Sequence, residues 1–358
     1  MLQGCWETAP GWLETVRGFL QASGPRYPPT MVLSRGDVRP EVSHRYVEAR
    51  GLRMHIAEAG TGPLVLLLHG FPECWYSWRH QLAALAEAGY HAVAPDQRGY
   101  CRTGGPEAVD EYTILHLTGD VIALMDALGE PQAVVAGHDW GAPVAWHAAL
   151  LRPDRVRGVI GLSVPYRPRG SRPPIAAMRS MFGDGFYIVY FQQPGVADAE
   201  LAADPRRTFT RLLRSASADG PATGGTPVVP PGGGFLDIGA QLPETSALPP
   251  WLTSEDIEVF VTEYRDAGFT KPLNWYRNID RNWELTAAWH HAPVTVPGLF
   301  IAGDRDLVIG AGQTLPQLRE VAPGLRDAIL LSGCGHWTQQ ERPDEVSEAM
   351  ISFIRELD

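Results

Sequence analysis

The segment AVVAGHDWGAPVAWHAAL, residues 133–150, constrains the fold of this chain more than any other. An apolar, β-friendly run ends in Gly137-His138-Asp139-Trp140-Gly141, and a helical run with small residues on its first turn follows. This is the form of a G-x-S-x-G elbow, with Asp139 where the serine would stand. Its glycines let the central residue take strained backbone angles and let strand and helix approach closely. Alone, the turn reads equally well as an ordinary strand-to-helix connection with an N-capping aspartate. Its weight depends on what accompanies it.

Strand-like and helix-like segments alternate around the elbow: PLVLLL, Gln81–Ala88, HAVAPD, Thr118–Leu128, AVVAGHD, Gly141–Leu151 and RGVIGLSVP. Such alternation implies βαβ units and a mainly parallel sheet flanked by helices. Two hairpin-like strands, VSHRYVEARG and LRMHIAEAG, precede it. From about Tyr166 the rhythm breaks into PYRPRGSRPP, aromatic helix-compatible stretches and the Gly/Pro-rich SASADGPATGGTPVVPPGGG, which reads as a long loop. Helical stretches at Thr253–Ala267 and Pro272–His291 follow. The α/β rhythm returns at TVPGLFIAGD and LRDAILLSGCGHW, and the chain closes with an amphipathic helix, Pro343–Leu357. The simplest organisation is one α/β domain (41–166 and 292–358) interrupted by a mostly helical lid (167–291). Residues 1–40 form an arm with one short helix, Trp12–Leu20. The sequence leaves open whether that arm covers the lid, makes the contact of a homodimer or is disordered.

Composition narrows the function. A formal net charge of −11 on 358 residues offers nothing to neutralise phosphates, which argues against nucleic acid as a partner. Cys5, Cys74, Cys101 and Cys334 are scattered without CxxC or zinc-ligand spacing, so neither metal nor cofactor is expected. They read as reduced thiols of a cytoplasmic protein. The N-terminus lacks the pattern of a signal peptide, and Val65–Leu68 is far too short to span a bilayer.

Three features accompany the elbow. His336, in LLSGCGHWTQQERP, stands on a Gly-rich loop after the expected last strand, where a triad base would come. Asp306, in FIAGDRDLVIG, lies on the loop after the preceding strand. Asp304 competes for the acid role but follows the strand directly, as a turn cap would. The other acid position, after GVIGLSV, holds Ser163-Val164-Pro165 and no carboxylate. Finally, His69-Gly70-Phe71-Pro72 follows PLVLLL. There the Phe71 amide and the Trp140 amide, next to the nucleophile, could bind an oxyanion. The order nucleophile, acid, base assigns the α/β-hydrolase fold.

Taken together, HGFPECWYSWRHQL, DQRGY, GHDWGA, YFQQPG, LNWYRNIDRNWE and GCGHWTQQERP resemble the soluble epoxide hydrolases, the type without an attached phosphatase domain. The resemblance runs from about Val42 to the C-terminus. It implies Asp139 as nucleophile, His336 as base, Asp306 as its orienting acid, and lid tyrosines Tyr187 and Tyr276 as donors to the epoxide oxygen. Among the neighbouring aromatics Tyr190 is the rival for Tyr187. Two positions depart from the family's pattern: Cys101 stands at a usual glycine and Cys74 at a common serine. His69, Pro72, Trp75 and Trp337 are expected around the substrate, and the many tryptophans suggest an apolar pocket for an apolar or aryl epoxide.

The residue types suit that chemistry. A serine opening an epoxide would leave an ether, which activated water cannot hydrolyse. A carboxylate leaves an ester whose carbonyl water can attack. A haloalkane or haloacid dehalogenase would share the aspartate and the following tryptophan. It would lack the paired tyrosines and often carry Asn or Glu at Phe71. A non-catalytic ligand receptor on the same fold is a third reading.

Overall fold

The structure, a computed structural model, describes residues 40–220, 227–238, 247–309 and 314–357. Leu64–Leu68 (β3) is buried at all five positions and lies inside an eight-stranded sheet. Leu64, Leu66 and Leu68 join one hydrophobic cluster, and Val65 and Leu67 join another. Successive side chains of a strand point to opposite faces, so an unbroken apolar run needs cover on both sides. Ala133–His138 (β5) divides in the same way, Val135 to one cluster and Val134 and Ala136 to the other.

The remaining strands are Ser43–Ala49 (β1), Leu52–Ala59 (β2), His91–Pro95 (β4), Val156–Leu162 (β6), Gly298–Gly303 (β7) and Leu325–Leu331 (β8), in the spatial order β1-β2-β4-β3-β5-β6-β7-β8. β1 pairs with β2, and β2 with β4, antiparallel. All other pairings are parallel. The chain leaves β4 on one side of β3 and crosses to β5 on the other. Such a reversal opens a crevice at the carboxyl ends of the strands.

Helices differ from the sequence reading where local polar groups intervene. The helix expected from Thr118 begins a turn earlier and spans Ile114–Ala127, because Thr113 Oγ1 accepts from the His116 amide and caps it. The helix expected over Pro272–His291 is broken into Thr270–Arg277, Ile279–Leu285 and a 3₁₀ turn, Ala287–Trp289. At the break, Asn278 Nδ2 donates to Asn274 O (2.9 Å) and Val109 O (2.6 Å), drawing the side chain into the backbone pattern.

Between β6 and β7 the chain forms helices from Pro174 to Leu285. Contacts join Pro40–Asp358, with the helices between β6 and β7, into one unit. The arm, with its expected helix at Trp12–Leu20, lies outside the described residues. None of the described helices is long and apolar enough to cross a membrane.

Candidate active site

Asp139 sits at the end of β5 with φ +47°, a left-handed conformation unfavourable for a side-chain-bearing residue. Its surroundings enforce the angle. A Cβ on Gly137 would lie 2.0 Å from Gly141 O, and one on Gly141 would lie 2.0 Å from Leu68 O. Strand and helix therefore meet at backbone contact. Gly70 is required for a different reason: its Cβ would stand 2.3 Å from that of Asp139.

The elbow and three loops bring the expected groups together. Phe71 N donates to Asp139 Oδ1 at 2.8 Å, while Oδ2 faces His336 Nε2 at 3.5 Å. His336 Nδ1 lies 3.1 Å from both oxygens of Asp306, whose Oδ1 also accepts from Val308 N at 2.9 Å. Asp304 instead accepts from Gly333 N at 2.8 Å and closes a turn.

Charges follow this geometry. Burial pushes the Asp139 carboxyl up, but the bond and charge of His336 and the Phe71 amide outweigh it and hold it below the usual range. Asp306 is lowered for a similar reason, its burial outweighed by His336. For His336 burial favours the neutral ring, yet the flanking carboxylates of Asp306 and Asp139 raise it well above an ordinary histidine. Both carboxylates thus favour the imidazolium form of His336.

Aromatic rings gather around Phe71 and Trp140, on either side of the site. Tyr276 packs on Phe71, Trp140 and Phe191 at centroid distances of 5.5, 5.1 and 5.0 Å. Tyr187 packs on Tyr276 at 6.2 Å. Burial, with the Asp139 charge next, raises both phenols, so both remain protonated at neutral pH. The Tyr190 hydroxyl is turned to Glu200 Oε2 at 3.0 Å, which separates it from this group.

Of the other expected residues, His69 is fully buried and commits both ring nitrogens to backbone: Nδ1 donates to Gly70 O, and Nε2 accepts from Gln97 N. It shapes the turn that presents Phe71 N. Pro72 follows Phe71 in a cis peptide in the same turn. Trp75 lies in an aromatic group with His44 and Tyr76 and donates to Glu263. Trp337 packs on His336 at 4.9 Å and donates to Leu213 O, a lid carbonyl.

Sequence reasoning passed over a second layer beneath the triad. Glu73, fully buried, accepts from Gly70 N, Gln339 Nε2 and Gln340 Nε2, and lies 2.7 Å from His138 Nδ1. His138 Nε2 in turn donates to His336 O at 2.8 Å. Glu341 is a second buried carboxylate. It accepts from Gly335 N and Trp337 N, either side of His336, and from Ala218 N of the lid. All of these residues stood inside the quoted motifs. The signal that could have found them was a pair of acidic residues in otherwise apolar or amide-rich turns.

A family described as alpha/beta hydrolase fold matches residues 63–343. Epoxide hydrolase A of Mycobacterium tuberculosis is 48% identical over 320 residues, covering 88% of this chain and 98% of that protein. Epoxide hydrolase 3 of Siraitia grosvenorii is 42% identical, with 88% and 99% covered. Among solved structures, epoxide hydrolase A from Mycobacterium thermoresistibile superposes with a TM-score of 0.82 at 50% identity, covering 88% of this chain and 98% of that one.

Proposed function

The chain belongs to the epoxide hydrolases of the α/β-hydrolase superfamily, and from that premise we propose that it converts an epoxide and water to a vicinal diol through an ester on Asp139. The observation that carries this reading is the division of labour on one carboxylate. Oδ1 is held by the Phe71 amide and Oδ2 faces His336, while Tyr276 packs on Phe71 and Trp140 with Tyr187 against it.

In the first half-reaction the Asp139 carboxylate attacks a ring carbon and the C–O bond breaks. Tyr187 and Tyr276 donate to the oxygen as its negative charge develops. Acid assistance of this kind is worth about 10²–10⁴-fold. Esterification removes the Asp139 charge, and with it one of the interactions that raise His336. The imidazolium then releases a proton that restores the phenol, leaving the neutral ring needed for the second half-reaction.

There His336 Nε2 takes a proton from water, hydroxide adds to the Asp139 carbonyl, and the Phe71 and Trp140 amides receive the oxyanion. Loss of one such donor typically costs about 10²–10³-fold. Asp306 holds the ring and balances its charge, as the third group of a triad does. The ester C–O bond of the enzyme acyl group then breaks, the leaving oxygen takes the proton of the added hydroxyl, and the diol departs with the Asp139 carboxylate restored.

Phe71, Trp140, Phe191 and Phe235 give the space an apolar wall, which favours apolar or aryl epoxides. The scattered cysteines support a cytoplasmic setting. Light scattering decides between a monomer and a homodimer. The purified protein should hydrolyse styrene oxide and leave 1,2-dibromoethane intact. Bromide release without diol formation would overturn the reading in favour of a dehalogenase.

A further inference from the structure

Two departures from the family's pattern, Cys74 and Cys101, are far apart in sequence and meet in the fold. Cys74 ends the turn after β3, and Cys101 lies on the loop after β4. Both are buried. The fully buried Asp96 completes the group: both Sγ atoms and one carboxylate oxygen lie within 4.8 Å of one another. A tetrahedral ion with Zn–S near 2.3 Å and Zn–O near 2.0 Å has ligand-to-ligand edges of roughly 3.5 Å.

The surroundings are organised for ligation. Asp96 Oδ1 accepts from Trp75 N at 3.1 Å, and Oδ2 lies 2.7 Å from His55 Nδ1 and accepts from Arg102 N at 3.4 Å. A carboxylate has about four acceptor positions, so capacity remains on Oδ1. His55 fixes the carboxylate from behind, as outer partners of metal ligands do. Cys101 keeps a backbone of φ +45°, which a glycine would adopt without strain. Neither thiol takes part in the chemistry at Asp139.

We propose that Cys74, Cys101 and Asp96 bind one thiophilic divalent ion of the zinc class, tying the turn that carries Phe71 to the loop after β4. Binding replaces two S–H bonds with two S–metal bonds and releases two protons, with no change of oxidation state. Two thiolates and a carboxylate suit a borderline-soft ion better than calcium or magnesium.

The test is titration of the reduced, chelator-stripped full chain with Co²⁺ alone, followed by Zn²⁺. One Co²⁺ per chain is expected, with a thiolate-to-cobalt charge-transfer band and the intense visible bands of a tetrahedral ion, all lost on adding Zn²⁺. Cys74→Ser and Cys101→Gly should each weaken binding by at least about a hundredfold, since even outer partners of a site cost 10–100-fold. Cys101→Gly also relieves the left-handed backbone, so a folded variant is expected. Cobalt bound without a thiolate band would overturn the proposal, as would a band undiminished in both variants. A mass two hydrogens short, locating a Cys74–Cys101 disulfide in the reduced protein, would overturn it as well.

Discussion

Replacing Glu341 by glutamine tests whether one buried carboxylate holds the histidine loop against the lid. Glu341 Oε2 accepts from Gly335 N at 2.9 Å and Ala218 N at 3.0 Å, and Oε1 accepts from Trp337 N at 3.1 Å. A glutamine keeps the Gly335 and Ala218 bonds on its carbonyl oxygen, as weaker neutral bonds, but sets its NH₂ group against the Trp337 N–H. Bonds to a charged acceptor contribute about 1.5–3 kcal/mol and neutral ones about 0.5–1.5 kcal/mol, so losing one bond and weakening two gives a gross loss of about 3–6 kcal/mol. Against this, the variant escapes the cost of burying a charge, a cost visible in the raised pKa of Glu341. Because that cost outweighs the three bonds in setting the pKa, the net loss at pH 7 is small, about 1 kcal/mol. Urea unfolding at pH 7 should show a lower midpoint with an unchanged slope.

The pH dependence has a definite sign. Because burial raises Glu341 in the fold, protonation favours the folded wild type, and its contribution falls as pH rises through the folded pKa. The stability gap between wild type and Glu341→Gln should therefore widen as pH is lowered from 7 into the mildly acidic range. Single-turnover kinetics should show ester hydrolysis, which needs His336 in place, slowed more than ester formation. A stability change below about 0.5 kcal/mol, the level of an ordinary surface substitution, with hydrolysis unaltered would refute the reasoning.

Other consequences are as direct. Tyr187→Phe and Tyr276→Phe should each slow ester formation in stopped-flow, and the double variant should lose about 10²–10⁴-fold or more. Gly70→Ala places a methyl 2.3 Å from the Asp139 Cβ, so activity should vanish in a protein that retains its far-ultraviolet circular dichroism. Asp139→Ala removes one of the charges that raise His336, so the ring's titration followed by NMR should move down in pH. Since a raised histidine stabilises the fold below its unfolded pKa, the variant should lose stability most at neutral and lower pH.

Much of the architecture was legible because it rests on local rules. An apolar run such as Leu64–Leu68 needs two covered faces, and the Gly-x-Asp-x-Gly turn leaves few backbone solutions. The order of Asp139, Asp306 and His336 along the chain was readable for the same reason. Their distances were not, since these depend on four loops meeting. Asn278 broke a helix through a side-chain bond to a carbonyl one turn earlier and to Val109, and the latter partner lies in another part of the chain. Glu73 and Glu341 were hidden because an isolated acidic residue in a turn carries no mark of burial. Their partners, His138 and the amides around His336, come from distant segments. His69 illustrates the reverse case: a histidine beside the site whose ring is engaged wholly by backbone.

The ester on Asp139 is the central claim, and His336→Gln tests it most directly. The variant should still open an epoxide but fail to hydrolyse the product. Incubation with styrene oxide should raise the intact mass by one epoxide per chain, and peptide mapping should place the addition on Asp139. No adduct, an adduct on another residue, or turnover at the wild-type rate would contradict the account.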